Sequence, residues 1–245
     1  MVDDFGSIVY RTHAGLHSSE LANFCDEDLA AAIPYRRFSW TRGQGNLPGF
    51  YWSATVGDHV GYESRLELAR LLIADFDCEV TAIISQPFGL LTHRARRQPS
   101  VPDYLLLSPK RPPHVVDVKT AIEAQKPDVR EQLDTRRRAL QGGLGWRYEV
   151  WTGDGQERLI QNLRLLSCFR RDWMFTAQTV RAVVSHAHTE GITSLEKIEQ
   201  NVTREAPAIV RASALHAVWR QLLRPPTLTE PLRSATPLRP GGSTL

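Results

Sequence analysis

Three cysteines in 245 residues, Cys25, Cys78 and Cys168, lie too far apart for a disulfide framework, and no C-x-x-C pair is present to hold a zinc knuckle. They are expected to be buried thiols. No run of about 18 uncharged apolar residues is available to span a membrane. No basic, apolar, small-residue succession marks a secretory signal either, so a cytoplasmic location is expected. The eight histidines are scattered, and His186 and His188 would point in different directions on a helix, which argues against them as a metal pair. Charge of one sign is also scarce, at a net +3. The basic character is local: Arg94, Arg96 and Arg97 form one cluster, Arg136, Arg137 and Arg138 a second, Arg170 and Arg171 a third. Such clusters either contact phosphates or form a solvated face.

What remains is an ordinary globular composition, 42% hydrophobic and 23% charged, in a chain long enough for one or two domains. It is organised around residues 101–119, VPDYLLLSPKRPPHVVDVK. Two short apolar runs, 104–107 and 115–118, flank a proline-rich basic stretch, 108–113, that is expected to form the turn between antiparallel strands. Side chains alternate along a strand, so Asp117 and Lys119 are expected on one face with Val116 and Val118 on the other. Pairing would bring Asp103 towards Asp117. Two carboxylates beside the Val118 carbonyl make an oxygen-rich site suited to Mg²⁺ or Mn²⁺ rather than zinc, and the Lys119 ammonium could steady charge on a phosphate. Taken alone, each of these short motifs also occurs at ordinary strand ends.

The surrounding pattern gives the motif a frame. Residues 61–76 read as a helix with an apolar side, and Glu63, Glu67 and Arg70 recur at helical spacing, so either glutamate pairs with Arg70 or one of them supplies a third oxygen to the metal. Residues 79–91 are rich in β-branched residues and read as one strand, kinked or at an edge where Pro87 and Gly89 fall. Residues 127–140 form a charged helix opened by Pro127 and closed by glycines, and 146–152 another strand. Aromatics interleave with arginine over residues 35–52, either to pack an arm or to grip nucleic acid. Residues 19–32 suggest a short helix, and no function is read in residues 1–34.

Helix, three strands, helix and strand, carrying glutamate on the helix, Pro102-Asp103, and Asp117-Val118-Lys119, resembles the PD-(D/E)xK nuclease superfamily. More narrowly, Ser64-Arg65-Leu66-Glu67-Leu68, Gln86-Pro87-Phe88, Asp103 and Val118-Lys119 are similar to TnsA, the endonuclease subunit of Tn7-type heteromeric transposases, over about residues 40–155. The resemblance implies an α/β fold with a restriction-endonuclease-like αβββαβ core. The catalytic set would be Glu67, Asp103, Asp117 and Lys119, with Mg²⁺ (Mn²⁺ as a substitute) held by Asp103, Asp117, Val118 and Glu67. Asp117 departs from family members that carry Gln there and matches the wider superfamily. Arg136, Arg137, Arg138, Arg96 and Arg97 are the candidate DNA contacts. The implied partners are DNA, a DDE-type transposase subunit and an AAA+ regulator, with no membrane.

The expected organisation is an N-terminal arm (1–55), the nuclease core (56–155), a small mainly helical C-terminal domain (156–240) and a tail (241–245). Helices are expected over 156–169, 172–190 and 207–223, with a short one opened by a Thr193-x-x-Glu196 capping box. Residues 224–240 offer extended pieces for the wing of a winged-helix module, the alternative being a helical bundle that braces the core. Two other functions fit the same residues: a free-standing nuclease of defence, restriction or repair, and an inactive DNA- or protein-binding module.

Overall fold

The computed structural model describes residues 5–24, 29, 31–36, 47–92, 98–203 and 205–242. Arg94, Arg96 and Arg97 lie outside the described residues, as do Cys25 and much of the aromatic stretch. The fold is mixed α/β, in two compact units, Met1–Asp154 and Gly155–Leu245. Among the described residues no helix is long and apolar enough to cross a membrane.

The first unit holds a four-stranded sheet in the order β5-β7-β8-β9, formed by Ala82–Ser85, Tyr104–Ser108, Arg111–Val118 and Arg147–Trp151. β5, β7 and β8 are successively antiparallel, whereas β9 joins β8 in parallel. A parallel return needs a crossover, and helices α2 (Ala121–Ala124) and α3 (Pro127–Arg137) supply it. α3 then widens into a π-helical turn over Arg138–Gly143. β8 begins earlier than the sequence implies: the reversal occupies only Pro109 and Lys110, while Pro112 and Pro113 lie inside the strand. They are tolerated because the register with β7 shifts between Leu106 and Ser108, and because the pairing with β9 starts only at His114.

The apolar run at 79–91 is likewise two strands and not one. β5 stays in the four-stranded sheet, and β6 (Phe88–Thr92) joins a second sheet of order β2-β1-β6, with β1 at Phe5–Thr12 and β2 at Gly15–Glu20. Gln86 makes the break: its φ is +46°, its N–H donates to the Asp103 carbonyl, and its carbonyl accepts from Tyr35 N–H. Pro87 has no N–H with which to continue the ladder. Gly89 is required at its position, because a Cβ there would meet Pro99 Cβ at 2.6 Å. One core draws on both sheets, joining Ile84, Leu105, Val115 and Tyr148 to Phe5, Ile8, Tyr10, Phe88 and Leu90, with Leu140 and Trp146. The β1–β2 hairpin escapes sequence reading because β2 alternates half-buried and exposed positions with few apolar residues.

α1 (Arg65–Phe76) starts where Ser64 caps it and buries Ala69, Leu71, Leu72 and Ala74. Near its end, the buried Asp75 carboxylate accepts from Tyr51 OH (2.7 Å), Ser53 Oγ (2.5 Å), Ala54 N–H (3.1 Å) and Thr55 N–H (2.8 Å). This ties α1 to the hairpin of β3 (Gly49–Trp52) and β4 (His59–Tyr62). Tyr51 is buried and Phe50 exposed, so part of the aromatic stretch packs inward. Cys78 and Cys168 are exposed, contrary to the expectation of buried thiols, because both follow the last turns of helices and project from loops.

Among the described residues the second unit has four α-helices, α4 (Glu157–Ser167), α5 (Ala177–Glu190), α6 (Leu195–Asn201) and α7 (Pro207–Trp219), and a minimal antiparallel pair, β10 (Leu223–Arg224) with β11 (Arg239–Pro240). Gly191, at φ +69°, ends α5. α6 is capped by Ser194 and not by Thr193, whose backbone instead pairs with Leu238. The α7 stripe of Leu215, Val218 and Trp219 is buried as its spacing requires.

Asp75→Ala strands two hydroxyls and two backbone N–H groups in a buried site. It is expected to lower unfolding free energy by about 3 kcal/mol in urea denaturation followed by tryptophan fluorescence, with Asp75→Asn less affected. An unchanged midpoint would count against the anchoring role.

Candidate active site

Asp103, Asp117 and Lys119 meet at one end of the four-stranded sheet because β7 begins where β8 ends. Tyr104 pairs with Val116, which sets Asp103 beside the end of β8, and the Lys119 N–H extends the parallel ladder to the Trp151 carbonyl at 3.1 Å. The Asp103 carboxylate then accepts from Val118 N–H at 2.6 Å and from Lys119 Nζ at 3.3 Å, both on Oδ2. The same ammonium donates to the Val118 carbonyl at 2.9 Å. Lys119 therefore bridges two oxygens that were expected to face a metal.

Asp117 is buried, with 1% of its surface exposed, and its Oδ2 receives both the Tyr148 hydroxyl and the Arg136 guanidinium. Tyr148 is available because β9 runs parallel to β8, so that Val115 pairs with Tyr148 and Asp117 with Val150. Arg136 comes from α3 and is itself only 7% exposed; its second amino group donates to Ser100 Oγ at 2.5 Å.

Glu67 enters from the first turn of α1. Ser64 Oγ donates to Glu67 Oε1 at 3.0 Å and accepts from the Glu67 N–H at 3.0 Å, while Glu63 N–H donates to Glu67 Oε2 at 2.7 Å. The glutamate is thus part of the helix cap as well as of the site. The expected pairing of a helix glutamate with Arg70 is absent among the described residues. Arg70 crosses to Glu149 on β9 at 2.9 Å, and His114 reaches the same carboxylate at 3.2 Å. Although burial opposes its ionisation, the bonds from His114 and Arg70 hold Glu149 down to about 2.

The carboxylates feel one another. Burial and then the charge of Asp103 push the Glu67 carboxyl up to about 7, and burial followed by the charge of Asp117 raises Asp103. Burial alone would draw the Lys119 ammonium down, but Asp103 and Asp117 outweigh it and hold it above its ordinary value. Arg136 behaves alike, burial being outweighed by Asp117. Among the described residues no three His, Cys, Asp or Glu side chains close on one point as a protein metal cage does. Mg²⁺ rarely needs such a cage, being held by one or two carboxylates with water and phosphate completing its shell. The oxygens that fit it are those of Asp103 and Asp117 and the Val118 carbonyl, all hard donors.

Of the basic residues expected at DNA, Arg137 and Arg138 are exposed on α3 and the turn after it. Arg137 pairs with Asp134 at 2.8 Å and covers the Tyr148 ring at 5.7 Å from its centroid. Arg136 instead faces inward to Asp117. The spacing held a signal for this, since Leu133, Arg136 and Leu140 fall on one buried stripe of an otherwise charged helix. Tyr148 had no comparable signal, because only the parallel pairing of β9 assigns its face. No family model matches the chain, and no curated protein matches it.

The raised Glu67 pKa gives a pH signature. Folded Glu67 titrates at about 7 against an ordinary 4.5, so between these values the folded state holds a proton that the unfolded state has lost, and stability falls as pH rises through this window. Glu67→Gln cannot titrate. Its stability relative to the parent is expected to improve by roughly 1–3 kcal/mol between pH 4.5 and pH 8 in metal-free urea titrations. A pH-independent difference would contradict the raised pKa.

Proposed function

We propose that this chain is a divalent-metal-dependent DNA endonuclease of the PD-(D/E)xK kind, acting as the TnsA-like subunit of a heteromeric transposase that cuts transposon ends by phosphodiester hydrolysis. The observation that carries the reading is the position of Asp103 at one end of a mixed sheet, bonded to Lys119 at 3.3 Å and within electrostatic reach of both Asp117 and Glu67. The order α1, β5, β7, β8, α3 and β9, with β6 and α2 as additions, supports reading this unit as an αβββαβ core. In the second unit, α5 to α7 with the β10–β11 pair support a winged-helix-like module that meets DNA or the regulatory ATPase of the same system.

A bound Mg²⁺ would supply charge neutralisation at the scissile phosphate and a water of lowered pKa. The chain's own groups do the rest. Asp103 and Asp117 present carboxylate oxygens at the ends of adjacent strands, and the Val118 carbonyl directly follows Asp117 in sequence. Lys119, kept cationic by both aspartates, can turn from Asp103 to a phosphate oxygen and steady the charge that develops there. Glu67, with its pKa near neutrality, can take up a proton on its carboxylate as the attacking water is deprotonated. Arg137, exposed over the Tyr148 ring, and the exposed Arg138 that follows it would contact backbone phosphates.

One feature favours a second reading, a free-standing nuclease of defence, restriction or repair: Asp117 is the residue usual in the wider superfamily. The experiment that separates them incubates the protein with labelled DNA carrying the element's ends and Mg²⁺, with and without the partner DDE-type transposase. Cleavage that requires both metal and partner, and that falls by about 10²-fold or more in Lys119→Ala, is the expected result. Efficient partner-free cutting of arbitrary plasmid would move the assignment to the second reading. Cleavage that ignores EDTA and the Lys119→Ala change would end both.

A further inference from the structure

The two strand-end aspartates are held in the same way. Among the described residues, the side-chain hydrogen bonds and ion pairs of Asp103 fall on Oδ2, from Val118 N–H and Lys119, and those of Asp117 fall on Oδ2, from Tyr148 and Arg136. A carboxylate gripped through one oxygen has its plane fixed and keeps the lone pairs of the other for a further ligand. For Asp117 the grip is rigid. Arg136 and Asp117 are both more than nine-tenths buried, Arg136 is anchored a second time on Ser100 Oγ at 2.5 Å, and Tyr148 is fixed in the ladder opposite Val115.

We infer that Arg136 and Tyr148 are positioning residues that converge on Oδ2 of Asp117 and thereby aim its Oδ1 at a divalent cation. Arg136 is thus assigned to the support of the metal site and withdrawn from the set of DNA contacts. The inference rests on the endonuclease reading for the identity of the ligand, and on the contacts above for the roles. Outer partners of a ligating carboxylate are typically worth 10–100-fold in metal affinity, because the unsupported side chain must be ordered when the metal arrives. Simple electrostatics gives the opposite sign for Arg136: removing a cation beside the site should tighten binding of another. The two mechanisms are therefore separable by the direction of one measurement.

The measurement is the Kd of Mn²⁺, read from the loss of the free-ion EPR signal at pH 7.5 in the absence of DNA, for folded samples with matching circular dichroism. Asp117→Asn sets the reference for a lost ligand. Arg136→Gln is expected to weaken Mn²⁺ binding by about 10-fold or more, Tyr148→Phe to weaken it in the same direction, and Arg136→Lys to recover part of the loss. Should Arg136→Gln fail to fold, the near-isosteric Tyr148→Phe decides by itself. Binding as tight as the parent's, or tighter, in Arg136→Gln and Tyr148→Phe overturns the inference and leaves the endonuclease reading standing. Equal binding in the parent and in Asp117→Asn also overturns it, since Asp117 is then no ligand. If the parent protein binds no Mn²⁺, both readings fall together.

Discussion

The burial of Asp117 is the constraint on which this end of the molecule depends. A carboxylate almost wholly removed from water needs a cation or several donors at contact distance, or it loses its charge. The strand can offer neither, since the neighbouring residues on β8 are valines, and the Val118 N–H is already given to Asp103. The partners have to come from elsewhere in the chain. Tyr148 arrives with β9 and Arg136 with α3, so the parallel return of β9 and the placement of its crossover helix are both tied to one carboxylate. Arg136 in turn takes Ser100 Oγ, which secures the segment leading into Asp103. A single buried charge thus links β8, β9, α3 and the approach to β7, the elements that together make the site.

How much of this was legible in the sequence follows from the range of the interactions. α1 is written locally: Ser64 and Glu67 stand three apart and form the cap that they imply, and the buried leucines recur at helical period. The apolar runs of β7 and β8 are equally local. The features that escaped depend on partners far away. Nothing near residue 86 states that β5 and β6 belong to different sheets, because the second sheet is closed by β1, whose own partner β2 has too few apolar positions to be read as a strand. Pro112 and Pro113 look like a turn until the register shift opposite them is known. Arg136 is intermediate, since its place on the stripe of Leu133 and Leu140 is visible in the sequence but its partner is not.

Glu67 was assigned to the site through a resemblance, and the structure gives it a second physical duty. Its carboxylate closes the cap of α1, accepting from Ser64 and from Glu63 N–H, while the proximity of Asp103 and burial raise its pKa to about 7. The two duties pull against each other. The cap favours the ionised form, and the neighbouring charge and the loss of water favour the neutral one, with the second pair prevailing.

The charges at the sheet end can be paired off, and the remainder indicates what the site is short of. Lys119 answers Asp103 and Arg136 answers Asp117, each cation held above its ordinary pKa by the aspartates. That leaves Glu67, whose charge no basic side chain balances among the described residues, and which meets the deficit by keeping a proton near neutrality. A doubly charged cation between the aspartates would reverse the balance: Lys119 would be released from Asp103, and the field that raises Glu67 would weaken, favouring loss of its proton. The groups free to act on a substrate would then be an ammonium and a carboxylate on either side of the same two aspartates. Under the proposed metal-dependent reading, this self-neutralised arrangement would become chemically competent by exchange of one cation for another.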